Sequence, residues 1–197
     1  MITIHPRMLR GIWVEGFALD IHTLRSDYIG DDEYGHPQFD SIRSEMGELL
    51  YRLKYHRDES VLSGIVTTAS LFIRSKKWPI DLIVSVPPSR KRPKLQPVAL
   101  IVEEIARELS FEVSTTCISR VKESPELKNV FDLSERLAIL KDAFKIHRGL
   151  VENRVILLFD DLYRSGATLD TIARLLKDEG KVKDLYALTL TMTRRNR

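Results

Sequence analysis

The chain has 197 residues, 43% of them hydrophobic and 30% charged, with 31 basic against 28 acidic side chains and a net charge of +3. That length buries one core, and one domain spanning 1–197 is expected. The lone Cys117 excludes an internal disulfide and reads as buried structure, the apolar runs are too short to cross a membrane, and no signal-peptide stretch opens the chain, so a cytoplasmic protein without membrane attachment is expected.

Residues 1–40 are the least regular part. Residues 11–24 mix aromatic and apolar side chains with turn formers, and 26–38 are dense in Asp, Gly and Tyr, so a hairpin followed by a loop is expected. From residue 41, Ile42, Met46, Leu49, Leu50 and Leu53 recur at helical spacing. This helix is expected to close through Tyr51, Arg52, Leu53, Lys54 and Tyr55 before a second one over 59–76. Lys54 and Arg57 either reach an anion from there or stand solvated at a helix end, and the sequence does not choose between the two.

Trp78 and Pro79 break the second helix, and Asp81, Leu82, Ile83, Val84, Ser85 and Val86 read as a buried strand. It runs into Pro87, Pro88, Ser89, Arg90, Lys91, Arg92, Pro93 and Lys94, a rigid basic turn ahead of a helix over 96–109. Residues 85–94 hold four bases and no acid, and 191–197 hold three and none, which leaves 24 bases against 28 acids elsewhere. Positive charge is concentrated where an anion would meet it. A nucleic-acid patch and a solvated loop are the competing readings of the turn.

Residues 111–119 read as a further strand. The long polar stretch 120–142, with Arg120, Lys122, Lys128 and Arg136, reads as a mobile flap or as a partly helical surface connection around 133–140.

The most informative segment is Val155-Ile156-Leu157-Leu158-Phe159-Asp160-Asp161-Leu162-Tyr163-Arg164-Ser165-Gly166-Ala167-Thr168. Its uninterrupted apolar run fits a strand buried on both faces, as in the middle of a parallel sheet. Leu169, Ile172, Ala173, Leu175 and Leu176 then follow helical spacing up to Gly180, and 185–193 alternate as a last strand. Ligands of open parallel sheets bind beyond the carboxyl ends of the strands. There the free N–H groups of a helix start, the backbone room at Gly166 and the hydroxyls of Ser165 and Thr168 suit a phosphate. Two carboxylates would repel that phosphate, so Asp160 and Asp161 are expected to accept from sugar hydroxyls or to attract hydrated Mg2+. A phosphorylated sugar meets both demands. The P-loop and G-x-G-x-x-G patterns are absent, and a receiver domain would carry its acid pair nearer the N-terminus with more sheet after it.

Asp160 to Thr168 resembles the phosphoribosyl-pyrophosphate (PRPP) signature of type I phosphoribosyltransferases. The resemblance implies an α/β fold with a mostly parallel sheet flanked by helices and a small N-terminal hood within residues 1–40. It implies that Asp160 and Asp161 face the ribose as catalytic and Mg2+-binding acids, and that Arg164, Ser165, Gly166, Ala167 and Thr168 wrap the 5'-phosphate. By the same resemblance Pro87, Pro88, Ser89, Arg90, Lys91 and Arg92 form the diphosphate loop, and Arg120 and Lys122 belong to a flexible loop that closes over it. Arg164 departs from the pattern, standing where many members carry Thr or Asp, so an acid associated with proton transfer is missing.

Lys54, the basic turn, the 120–144 segment and the Asp160 signature follow one another as in ComF-type, competence-associated phosphoribosyltransferase-like proteins. Two departures stand against that subfamily: one cysteine excludes the four-cysteine zinc module that members often carry, and Arg92-Pro93-Lys94-Leu95-Gln96 replaces R-G-F-N-Q. The expected function is Mg2+-dependent transfer of a 5-phosphoribosyl group from PRPP to a nitrogen acceptor with release of diphosphate, in a homo-oligomer. The alternative is a non-catalytic PRPP or nucleotide sensor that binds a protein or single-stranded DNA, for which the basic tail Arg194, Arg195 and Arg197 also speaks.

Overall fold

A computed structural model describes residues 2–88, 96–121, 140 and 142–194. In chain order it forms strands β1 (Arg7–Met8), β2 (Gly16–Ile21), β3 (Thr23–Asp31) and β4 (Pro37–Arg43), then helices α1 (Glu45–Tyr51) and α2 (Leu62–Lys76). Strand β5 (Leu82–Ser85), helix α3 (Pro97–Leu109) and the short strands β6 (Glu112–Ser114), β7 (Ile118–Arg120) and β8 (Phe144–Ile146) follow. Strand β9 (Val155–Tyr163), helix α4 (Ala167–Asp178) and strand β10 (Asp184–Met192) complete it.

Six strands form the central sheet in the order β1, β2, β10, β9, β5, β6, all parallel except the antiparallel edge β1. Because side chains alternate along a strand, the apolar runs of β9 and β10 feed two cores at once. Val155, Leu157 and Phe159 pack with Tyr186, Leu188 and Leu190 under α1, α2 and α3. Ile156, Leu158, Leu185 and Ala187 pack under α4 with the β7–β8 pair. An unbroken apolar run is therefore what a central parallel strand needs, since both faces are covered. Among the described residues no helix is long and apolar enough to cross a membrane.

The N-terminal part differs from the sequence expectation. Residues 16–21 are a strand of the central sheet, and the hairpin lies later, with β3 against β4 and its turn at Asp32 to Gly35. The first helix starts at Glu45 rather than near 41 because residues 37–43 are spent on β4 and Ser44 is the cap, its Oγ accepting from the Gly47 N–H at 3.0 Å. Helix α1 then widens into a π turn, Arg52–His56, which stops at Arg57 with φ 55. Such turns recur at functional sites, and this one carries Lys54. The expected strand over 111–119 is two short strands, β6 and β7, in different sheets.

Candidate functional site

Strand β9 does not end before its acids. Strand β10 continues beside it, pairing Thr189 with Asp160, Thr191 with Leu162 and Met192 with Tyr163. Alternation then turns the two carboxyls to opposite faces of the sheet. Asp160 lines a cleft of about 100 Å³ with Tyr163, Arg164, Ser165, Gly166, Ala167, Thr168 and Thr189. Asp161 faces the α1 side, where its Oδ2 meets Lys54 Nζ at 2.6 Å. The backbone N–H of Asp161 donates to Asp160 Oδ1 at 2.8 Å, tying the pair together.

The loop after β9 turns tightly into α4. Gly166 caps the helix at φ 86, and a Cβ there would stand 2.4 Å from the Tyr163 hydroxyl. Glycine is thus required twice, by conformation and by space. The Ala167 N–H donates to Ser165 Oγ at 3.5 Å, and the first-turn N–H groups that follow lack partners within the helix, which is the arrangement that favours an anion. A cleft of this size holds about three waters' worth of liquid volume, close to one phosphate group.

The cleft is polar but partly unpaired. Burial, reinforced by the Asp161 charge beside it, pushes the Asp160 carboxyl up to about 8. At neutral pH Asp160 therefore offers a donor as well as acceptors. Thr189 is fully buried, and its Oγ1 has no hydrogen-bond partner among the described residues. A ligand hydroxyl or phosphate oxygen would satisfy it.

His22 joins the site through Thr191, which lies on the same strand face as Thr189. The Thr191 hydroxyl donates to the Asp161 carbonyl at 3.1 Å, so the 3.2 Å contact with His22 Nδ1 is an N–H donated by the imidazole. The acceptor nitrogen is then Nε2. Burial, with Arg43, Lys54 and Arg164 nearby, holds the His22 pKa below 6.5 against the opposing pull of Asp161, and the ring is neutral at pH 7.

The remaining expected residues divide. Pro87 and Pro88 leave β5 on the same edge as Asp160, since Ser85 pairs with Phe159 and the Val86 N–H donates to the Phe159 carbonyl. Ser89, Arg90, Lys91, Arg92 and Lys122 lie outside the described residues, as does most of the expected flap. Arg120 is used in packing: it ends β7 with its guanidinium 4.5 Å from the Phe144 ring centre, and burial lowers its pKa. Lys54 reaches the acids, whereas Arg57 is the exposed residue that ends the π turn. His22, Thr189 and Thr191 were not foreseen. The threonines read as the polar face of an alternating strand, yet both are buried.

Among the described residues no group of three or more His, Cys, Asp or Glu side chains could hold a metal ion. With Asp161 paired to Lys54, Asp160 is the carboxyl of the pair left to take a hydrated Mg2+, and it would do so only on giving up its proton. A wider depression of about 600 Å³ between α3 and β6, lined by Glu103, Arg107 and Val113, lies at the opposite edge of the sheet.

No family model matches the sequence, and no curated protein does. Solved structures do match the fold. Adenine phosphoribosyltransferase from Saccharomyces cerevisiae, complexed with an imino-altritol bisphosphate and adenine, is 11% identical over 86% of this chain and 85% of that one, with a TM-score of 0.52. The Trypanosoma brucei enzyme, in complex with AMP, pyrophosphate and ribose-5-phosphate, is 15% identical over 93% and 74%, TM-score 0.47. A Staphylococcus aureus hypoxanthine phosphoribosyltransferase is 16% identical over 66% and 62%, TM-score 0.43. At such identities a likeness carries architecture alone. A mostly parallel sheet with helices on both faces, matched over most of its length to an adenine phosphoribosyltransferase, gives this chain the type I phosphoribosyltransferase fold.

Proposed function

We propose that the chain binds PRPP with Mg2+ and transfers its 5-phosphoribosyl group to a nitrogen acceptor. The observation that carries this reading is the cleft in which Asp160 and the glycine-capped start of α4 face the same small volume. The loop 164–168 takes the 5'-phosphate, and Asp160 and Thr189 take ribose hydroxyls or their metal-bound equivalents. Lys54 holds Asp161 in place on the far face. Arg90, Lys91 and Arg92, which follow Pro88 in the sequence, receive the diphosphate. Bound Mg2+ would supply charge neutralisation at the diphosphate.

In the reaction the bond from the anomeric carbon to the diphosphate oxygen breaks, a carbon–nitrogen bond forms, and the nitrogen loses a proton. Arg164 stands where an acid would assist that loss, and we assign the proton to Nε2 of His22, the neutral base held by Thr191. Stabilisation of the departing charge by fixed cations is worth about 3 to 4 kcal/mol per well-placed group. The test is diphosphate release from PRPP across a panel of bases and amines. Turnover whose acidic limb lies below that of an ordinary imidazole and that collapses in His22→Phe supports the assignment, because burial lowers the His22 pKa.

A second reading has a specific observation behind it. Arg164 places a cation in the phosphate loop and removes an acid, which suits a site that binds PRPP or a nucleotide without turnover. Saturable binding with no diphosphate release from any acceptor would favour it. If the basic turn serves single-stranded DNA instead, replacing Arg90, Lys91 and Arg92 by Ala would abolish salt-sensitive DNA binding and spare PRPP.

A further inference from the structure

The β3–β4 hairpin adds no side chain to either core, yet it carries six of the thirteen large apolar side chains left exposed among the described residues: Leu24, Tyr28, Ile29, Tyr34, Phe39 and Ile42. The ligand site uses none of them. The root of this arm is fixed, with the Ser44 N–H donating to the His22 carbonyl, Arg194 to the Leu24 carbonyl, and the Arg43 guanidinium 3.6 Å from the Tyr51 ring centre. Beyond the root the nine residues of β3 reach about 30 Å. A two-stranded ribbon is marginal in water by itself, so such an arm is completed by a surface that covers it.

One face of the ribbon shows what that surface must offer. Asp27 lies directly opposite Asp40 in the ladder, and like charges so placed are destabilising. Arg25 binds Asp27 at 2.6 Å, whereas Asp40 has no ion pair among the described residues. Two residues along from each acid, and so on the same face, Ile29 and Ile42 are 66% and 54% exposed. The face is thus a carboxylate pair flanked by bare isoleucines. One cation laid between the acids turns their repulsion into attraction. The isoleucines select a cation on an aliphatic stem, lysine or arginine, over a hydrated metal ion, because only the stem has apolar surface to bury.

Charge narrows the occupant further. Residues 23–43 hold five acids and two bases, a net of −3, and that field repels nucleic acid and anionic lipid alike. The described residues outside the arm balance to zero net charge, so the described body of a second copy is not the basic complement either. We propose that the β3–β4 arm is the docking site for a basic segment of another protein, which lays an arginine or lysine between Asp27 and Asp40 and its apolar neighbours on Ile29 and Ile42. Opposite charge brings the partner in and sets its register, and the isoleucines supply the area that leaves water.

The test is fluorescence anisotropy of a labelled synthetic peptide titrated with the full chain. Alternate positions of the peptide, which share one face of an extended chain, read valine, arginine, valine, arginine, valine, with serine between them. Its control carries glutamate for arginine. Saturable binding of the arginine peptide alone is expected, weakening as salt rises. Asp27→Asn with Asp40→Asn should weaken it about 10-fold through charge. Ile29→Ser with Ile42→Ser should weaken it about 10-fold through lost apolar contact. All four residues lie outside both cores, so circular dichroism should be unchanged, and each pair stands in for the other if one fails to fold. Absence of binding, equal binding of the glutamate peptide, or binding indifferent to both variants overturns the proposal. So does displacement of the peptide by Ca2+ at matched ionic strength, which would make the acid pair a metal site, or self-association abolished by the isoleucine variant, which would put a second copy on the arm.

Discussion

At the tip of β9 two adjacent acids occupy opposite surroundings. On the α4 face Asp160 sits in a desolvated cleft with an unpaired Thr189 hydroxyl and a helix start beside it, and its carboxyl is pushed up to about 8. On the α1 face Asp161 is bound to Lys54 at 2.6 Å. One side is left incomplete until a ligand arrives. The other is complete without one. A groove that leaves polar groups unsatisfied costs stability and keeps it available for binding, whereas a satisfied network fixes position. In the proposed site the acid pair is thus one residue open to a ligand and one held residue, and substitutions on the two faces should differ in kind.

The largest effect is expected on the cleft side at Gly166. Valine there would have to adopt φ 86 and place its Cβ against Tyr163. Strain of that sort costs about 1 to 3 kcal/mol before the clash is counted, so affinity for ribose 5-phosphate should fall about 100-fold in calorimetry. Normal affinity in Gly166→Val would move the anion site elsewhere.

Asp160→Asn comes next, and its signature is in pH. A carboxyl whose folded pKa is raised from 3.8 to about 8 keeps its proton in the folded state after the unfolded chain has lost it, so wild-type stability falls as pH rises through that window. The amide has no such loss. The melting temperature of Asp160→Asn relative to wild type should therefore climb from pH 4 to about 8 and level off above, while PRPP affinity drops. A constant difference across pH would mean that the carboxyl is not desolvated.

Lys54→Met should act the other way, leaving a nearly buried Asp161 charge unpaired. A cost of about 1 to 3 kcal/mol in denaturant unfolding is expected, below that of a fully buried pair because Lys54 retains contact with water. Arginine at 54 should restore most of it. The smallest effect belongs to Thr189→Val, which removes a hydroxyl with no partner among the described residues. The free protein should gain about 1 kcal/mol, and ligand affinity should fall a few-fold. Equal signs for the two readouts would show that the hydroxyl is not aimed at ligand.

Legibility in the sequence follows the same division. The strand, loop and helix from Val155 to Asp178 could be read because an unbroken apolar run, a glycine and a 3.6-residue period each signal one element locally. The opposite orientation of the acids could not, because the apolar run stops at Phe159 and only the β10 register shows that the strand continues to Tyr163. The Lys54 contact spans 107 residues and depends on a π turn with no local signature. The arm was misplaced because it has no buried face to impose a period: Tyr28, Ile29, Phe39 and Ile42 alternate against nothing within the chain.

The decisive experiment is calorimetric titration of PRPP with Mg2+ into the wild-type protein and into Gly166→Val. Saturable one-site binding in the wild type, competed by ribose 5-phosphate and lost in the variant, is the expected result. No heat from the wild type, or equal binding by both proteins, would contradict a phosphoribosyl site at the tip of β9.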